Sequence, residues 1–148
     1  MQKLNFPSYK FRLKNSENKT LIFDQIRKKF VVLQPEEWVR QHCINYLIEE
    51  INCPKSLINV EKSLNLNGVK KRYDIVVYKP DGTLFLIVEC KAPSITINQE
   101  TFDQIARYHL SLKSDFLFVT NGINHYSCFI DFKNNSYQFL KEIPKFSR

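Results

Sequence analysis

A chain of 148 residues is the usual size of one domain, and 43% hydrophobic residues supply a single core. Only 3 Gly and 6 Pro and no low-complexity tract argue against a largely disordered chain. The 22 Lys and Arg against 15 Asp and Glu leave +7, which favours a polyanionic partner, because cationic side chains displace counterions from phosphates.

No apolar stretch approaches the roughly 18 residues of a membrane span. The first residues, Met-Gln-Lys-Leu-Asn-Phe-Pro-Ser, lack the apolar run of a signal peptide. A cytoplasmic location is expected. Residues 1–19 are polar and basic, with Lys3, Lys10, Arg12, Lys14 and Lys19, and are expected to form an extended arm or edge. Residues 20–148 are expected to make a single domain. Leu21-Ile22-Phe23 and Phe30-Val31-Val32-Leu33 flank the basic Arg27-Lys28-Lys29 and read as a small hairpin or cap.

Pro35-Glu36-Glu37 opens a helix, since proline is pre-set for the first turn and carboxylates suit the positive end of the helix dipole. It should run to about Glu50, burying Val39, Cys43, Leu47 and Ile51 at helical spacing, and end at Asn52-Cys53-Pro54. Three strands follow, over 57–66, 72–78 and 84–91. The turn formers of Lys79-Pro80-Asp81-Gly82 join the last two into a hairpin. Both strands are apolar on two faces, so they belong at the centre of a covered sheet. A second helix spans 98–112, capped by Asn98 and packed through Phe102, Ile105, Ala106, His109 and Leu110. A strand over 115–120 ends at Asn121-Gly122. Segments 126–131 and 137–140 make a hairpin across Asn134-Asn135. The order is helix, three strands, helix, then strands.

Cys43, Cys53, Cys90 and Cys128 form no CxxC pair and read as small core residues. His42, His109 and His125 are scattered without metal-ligand spacing, and Trp38 reads as a packing residue. No nucleophile motif of the GxSxG kind occurs.

The chemistry concentrates in the central hairpin. Residues two apart on a strand share a face, so Glu89 and Lys91 are neighbours. If Tyr78 and Thr83 close the turn, Asp74 faces Ile87 and Glu89 is its diagonal neighbour, within about 8 Å between backbones. Two carboxylates and an ammonium would then converge on one face. Three buried charges are costly unless they pair or bind metal. Phosphodiester hydrolysis needs carboxylates for a metal and a cation beside the attacking water. The plainer alternative is a Lys91 salt bridge at a strand end.

Arg72-Tyr73-Asp74-Ile75-Val76 followed by Ile87-Val88-Glu89-Cys90-Lys91-Ala92-Pro93 resembles the PD-(D/E)xK nuclease signature. It looks most like the N-terminal nuclease domain of type I restriction enzyme R subunits and small stand-alone relatives. Phe23-Asp24-Gln25-Ile26-Arg27-Lys28-Lys29, with Pro35-Glu36-Glu37-Trp38-Val39-Arg40-Gln41, resembles that family's leading segment and first helix. Gln104-Ile105-Ala106-Arg107-Tyr108 matches a QxxxY element of the second helix, and the resemblance spans about residues 20 to 143.

The resemblance implies an α/β fold, a restriction-endonuclease-like mixed central sheet flanked by helices in α-β-β-β-α-β-β order. It implies a DNA endonuclease in which Asp74, Glu89 and the Cys90 backbone carbonyl bind Mg²⁺, with Mn²⁺ as a substitute. Lys91 would orient or deprotonate the attacking water. A first-helix glutamate, Glu36 or else Glu37, would complete the metal site. Gln104 and Tyr108, on one helix face, would hold DNA or the active-site groups. DNA is the implied partner, with RNA open, and a homodimer or a larger restriction or defence complex is implied as well. No Walker-type GxxxxGK[ST] occurs, so ATP-driven action would need another chain. The alternative function is a non-cleaving module of the same fold that binds nucleic acid or protein.

Overall fold

The computed structural model describes residues 1–66 and 68–147. Three strands come first: β1 (Leu13–Ser16), β2 (Lys19–Asp24) and β3 (Lys29–Val32), an antiparallel sheet in that order. The expected hairpin is β2–β3, and β1 adds an edge strand from within the expected arm.

Helix α1 (Pro35–Glu49) begins at Pro35, as its sequence dictates, and its chain exit passes through Asn52 in the left-handed region at φ +64°. Val39, Cys43 and Leu47 are fully buried and Ile51 nearly so, which confirms the predicted stripe. After a single helical turn at Lys55–Leu57 come β4 (Ile58–Leu66), β5 (Val69–Tyr78) and β6 (Leu84–Cys90), then α2 (Gln99–His109), β7 (Phe116–Thr120), β8 (His125–Asp131) and β9 (Ser136–Leu140). Asn98 caps α2, its side chain accepting from the Thr101 amide.

Strands β4 to β9 form one mixed sheet in sequence order. Only β6 and β7 pair in parallel, and α2 supplies the crossover that a parallel pair requires. Each face is covered. Ile75, Val77, Leu86, Val88 and Cys90 pack with Val39, Cys43, Ile44 and Leu47 of α1. Tyr73, Val76, Ile87, Leu117 and Val119 pack with Phe102 and Ala106 of α2. All four cysteines are free thiols in the interior, and those of Cys43 and Cys90 lie 3.7 Å apart. Among the described residues no helix is long and apolar enough to cross a membrane.

Residues 1–12 dock on this body. Leu4 is buried, the Asn5 amide donates to the Gly122 carbonyl at 2.7 Å, and Trp38 Nε1 donates to the Gln2 carbonyl at 2.7 Å. Gly122 has φ +88°, and a Cβ there would stand 2.9 Å from Leu4 Cδ2 and 3.1 Å from Val39 Cγ2. Gly122→Ala is therefore expected to cost about 1–3 kcal/mol in denaturant unfolding, through overpacking plus backbone strain. A loss near zero would mean that Leu4 is not seated in solution.

Candidate active site

The β5–β6 hairpin turns more loosely than the sequence suggests. The Lys79 amide donates to the Thr83 carbonyl at 2.8 Å, and the Gly82 amide donates to the Lys79 carbonyl at 2.9 Å. Gly82, at φ +88°, supplies the left-handed residue that such a turn needs. A bulge between Val77 and Tyr78 then moves the pairing, so that Val76 faces Ile87 and Ile75 faces Val88. The expected pairing of Asp74 with Ile87 is corrected by two residues. The wider turn, which pairs Tyr78 with Leu84 instead of Thr83, accounts for one residue, and the bulge, invisible in the residue pattern, accounts for the other.

Pairing of β5 with β6 stops at Ile75 and Val88. Beyond it, Asp74 Oδ2 accepts from the amide of Cys90 at 2.8 Å. A side chain thus replaces the ladder where the strands part. On β4, Val60 pairs with Ile75 and Lys62 with Tyr73, while the intervening Glu61 sits at φ +54°. Alternation breaks here. Tyr73 and Val76 both pack on the α2 side, which strict alternation forbids for residues three apart.

The consequence is that the carboxylates separate. Asp74 Oδ1 accepts from Arg40 Nη2 of α1 at 2.8 Å. Glu89 Oε1 accepts from Lys71 Nζ at 3.2 Å and lies 3.3 Å from His109 Nε2 of α2. The two helices cover opposite faces of the sheet. The expected convergence of Asp74 and Glu89 on one face is not seen, because the twist at Asp74 turns its side chain toward α1. Burial pushes the Glu89 carboxyl up, but His109 and Lys71 outweigh it and bring it down to about 2. Lys91, partly buried, donates its amide to the Thr120 carbonyl at 2.8 Å.

Glu36 and Glu37 stand in different surroundings. Glu37 is buried and accepts from Arg40 Nη1 at 2.6 Å, Arg27 Nη2 at 2.9 Å and Gln41 Nε2 at 3.0 Å. Glu36 is exposed, with Arg40 Nη2 3.6 Å away. Its carboxyl is raised, first by partial burial and then by the charge of Asp74, against the pull of Arg40 and Lys91. So Glu36 feels the charges of Asp74, Arg40 and Lys91, while Glu37 is enclosed by Arg27, Arg40 and Gln41.

That scaffold is a relay of ion pairs. Asp24 pairs with Arg27 at 2.8 Å, Arg27 with Glu37 at 2.9 Å, Glu37 with Arg40 at 2.6 Å and Arg40 with Asp74 at 2.8 Å. Asp24 is fully buried and also accepts the amides of Ile26 and Arg27 and the Gln41 side chain. Burial pushes its carboxyl up, but the Arg27 amide, the Arg27 guanidinium and Gln41 together hold it below the usual range. A depressed folded pKa means that its contribution is complete above the unfolded value, about 4, and is lost as pH falls through the folded value. Denaturant midpoints are expected to fall below about pH 4, and Asp24→Asn should flatten that acid limb. An unchanged limb would show that Asp24 is not the group responsible.

Residues 35–144, from the first turn of α1 through β9, match the family described as Type I restriction enzyme R protein N terminus (HSDR_N). The chain belongs to this family. No curated protein matches it. The matched segment carries Glu36, Asp74, Glu89, Lys91, Gln104 and Tyr108, while strands β1 to β3 precede it.

Tyr108 borders the Glu89 cluster: Lys71 Nζ stands 4.7 Å from its ring centre, and its ring lies against that of His109. Gln104, one turn earlier, is exposed. Sequence reading missed His109, taken for a packing residue, and the roles of Arg27 and Arg40. A polar ring on the apolar face of α2 was the signal, since a buried imidazole needs a partner. The oxygen donors of Asp74, Glu89, Glu36 and the Cys90 carbonyl suit a hard divalent cation. Their side chains stand apart, and among the described residues no group of three or more His, Cys, Asp or Glu is arranged to hold a metal. The donor chemistry fits a divalent cation; the side chains of the described residues do not gather it at one point.

Proposed function

We propose that this chain is a metal-dependent endonuclease of the PD-(D/E)xK kind that hydrolyses DNA. What supports the reading is the bond from the Cys90 amide to Asp74, in a chain of this family. That bond fastens one carboxylate to the residue between Glu89 and Lys91. Asp74, Glu89, Glu36 and the Cys90 carbonyl would hold Mg²⁺ or Mn²⁺. When bound, the ion would supply charge neutralisation and an acidified water.

The residues of the chain do the rest. Arg40 fixes the orientation of Asp74. Lys91 would orient the attacking water and stabilise the phosphate charge. Glu89 would have to leave Lys71 and His109 and turn toward Asp74. The net charge of +7 suits a DNA partner, the family suggests a restriction complex, and the cytoplasm would be its setting.

A second reading, a non-cleaving module, is favoured by the cations that already satisfy both carboxylates. The test is to incubate the chain with plasmid, linear duplex, single-stranded DNA and RNA, with Mg²⁺, Mn²⁺ or chelator. Metal-dependent cleavage lost in Asp74→Ala supports the nuclease. Nucleic acid bound but uncut, with neither ion raising the unfolding temperature, supports the second reading.

A further inference from the structure

The sheet of β1 to β3 has two unlike faces. On β2, Ile22 and Asp24 are buried, while Leu21 and Phe23 are half-buried. The inner face reaches α1 through Asp24, Arg27, Gln41 and Glu37. The outer face pairs Leu21 with Val32 and Phe23 with Phe30, and β1 sets Lys14 beside Leu21. The Phe23 amide donates to the Arg12 carbonyl, which brings Arg12 to the same row.

Cations lie over the rings of this face. The Arg12 guanidinium stands 4.9 Å from the Phe23 ring centre and 5.2 Å from that of Phe30. Lys14 Nζ is 4.2 Å from the Phe30 ring centre. Arg12, Lys14, Lys19 and Lys28 are exposed. Residues 10–32 hold seven basic and two acidic residues, so they carry +5 of the chain's +7. Of those acids, Asp24 is buried against Arg27, so it does not offset the outer charge.

We propose that the outer face of this sheet is a second nucleic-acid contact, which grips the phosphate backbone outside the family-matched segment. Side chains laid on aromatic rings are pre-ordered, so less entropy is lost when they meet phosphates. A membrane surface fits less well, because the cations cover the rings that would have to lead insertion. Cations that meet only the phosphate backbone carry no sequence information, so the contact would be indifferent to sequence.

The inference rests on the DNA reading above, yet it is tested apart from it. Fluorescence anisotropy of the full chain on a labelled duplex, in chelator, is followed from low to moderate salt. Arg12→Ala/Lys14→Ala is expected to weaken binding about 10-fold or more and to reduce the salt slope by about 2, near 0.9 for each phosphate no longer neutralised. Lys113→Ala/Lys133→Ala, the same charge loss elsewhere, should do much less. Both pairs are exposed, so the unfolding midpoints are expected to shift only slightly, Arg12 and Lys14 losing no more than their ring contacts. Equal losses from the two pairs, no loss from either, or capture of anionic lipid vesicles instead of DNA overturns the proposal. A chain that binds through Arg12 and Lys14 but never cuts overturns only the nuclease reading. One that cuts while indifferent to these residues overturns only this one.

Discussion

Lys91→Ala is expected to slow metal-dependent DNA cleavage by about 10²–10⁴-fold, the usual contribution of a positioned proton-transfer group. The backbone of residue 91 is anchored by its amide to Thr120, so the substitution should remove the ammonium without moving the strand. Affinity for uncut duplex should change little, which separates loss of chemistry from loss of binding. Asp74→Asn should fall as far, because it removes charge from the one carboxylate fastened to the Cys90 amide. Single-turnover rates equal to those of the unmodified chain would remove both residues from the mechanism.

Glu37→Ala is expected to cost about 3–5 kcal/mol, the range for removing one partner from a buried ion pair. For a chain of this size that is a fall in unfolding temperature of roughly 6–20 °C. Glu37 stands between Arg27 and Arg40, with its side chain only 9% exposed, so its loss leaves two guanidinium groups facing each other with little water. Glu36→Ala, on an exposed side chain of the same turn, should cost little stability. The pair of variants therefore tests the division between scaffold and site. Equal stability losses would erase it.

Much of the fold was legible because hydrophobic periodicity decides it. The stripe of α1 has helical spacing, while the apolar runs of β5, β6 and β7 read as strands through their shortness, their flanking turn formers and their β-branched and aromatic residues. Register was not legible to the residue. The Pro80-Asp81-Gly82 turn announces a hairpin, but the bulge at Val77 and Tyr78 depends on packing. The set of candidate site residues was legible as a motif. Their present partners were not, since the side-chain direction of Asp74 depends on Glu61 in the neighbouring strand and on Arg40 in α1. Glu36 and Glu37 are adjacent and chemically alike, and the tertiary placement of Arg27, Arg40 and Gln41 around Glu37 separates them.

The ladders around β6 end at different heights. Toward β7 they continue through Cys90 and Thr120, and the Lys91 amide adds one more bond. Toward β5 they stop at Val88. The site therefore has one wall where pairing continues and one where it stops. Lys91 belongs to the wall that continues, while Asp74 stands where pairing with β6 has stopped and is held by Arg40 and the Cys90 amide instead. Bringing the two carboxylates together would therefore fall to the Glu89 side chain, which would leave Lys71 and His109, with the backbone of residue 91 as the fixed reference point.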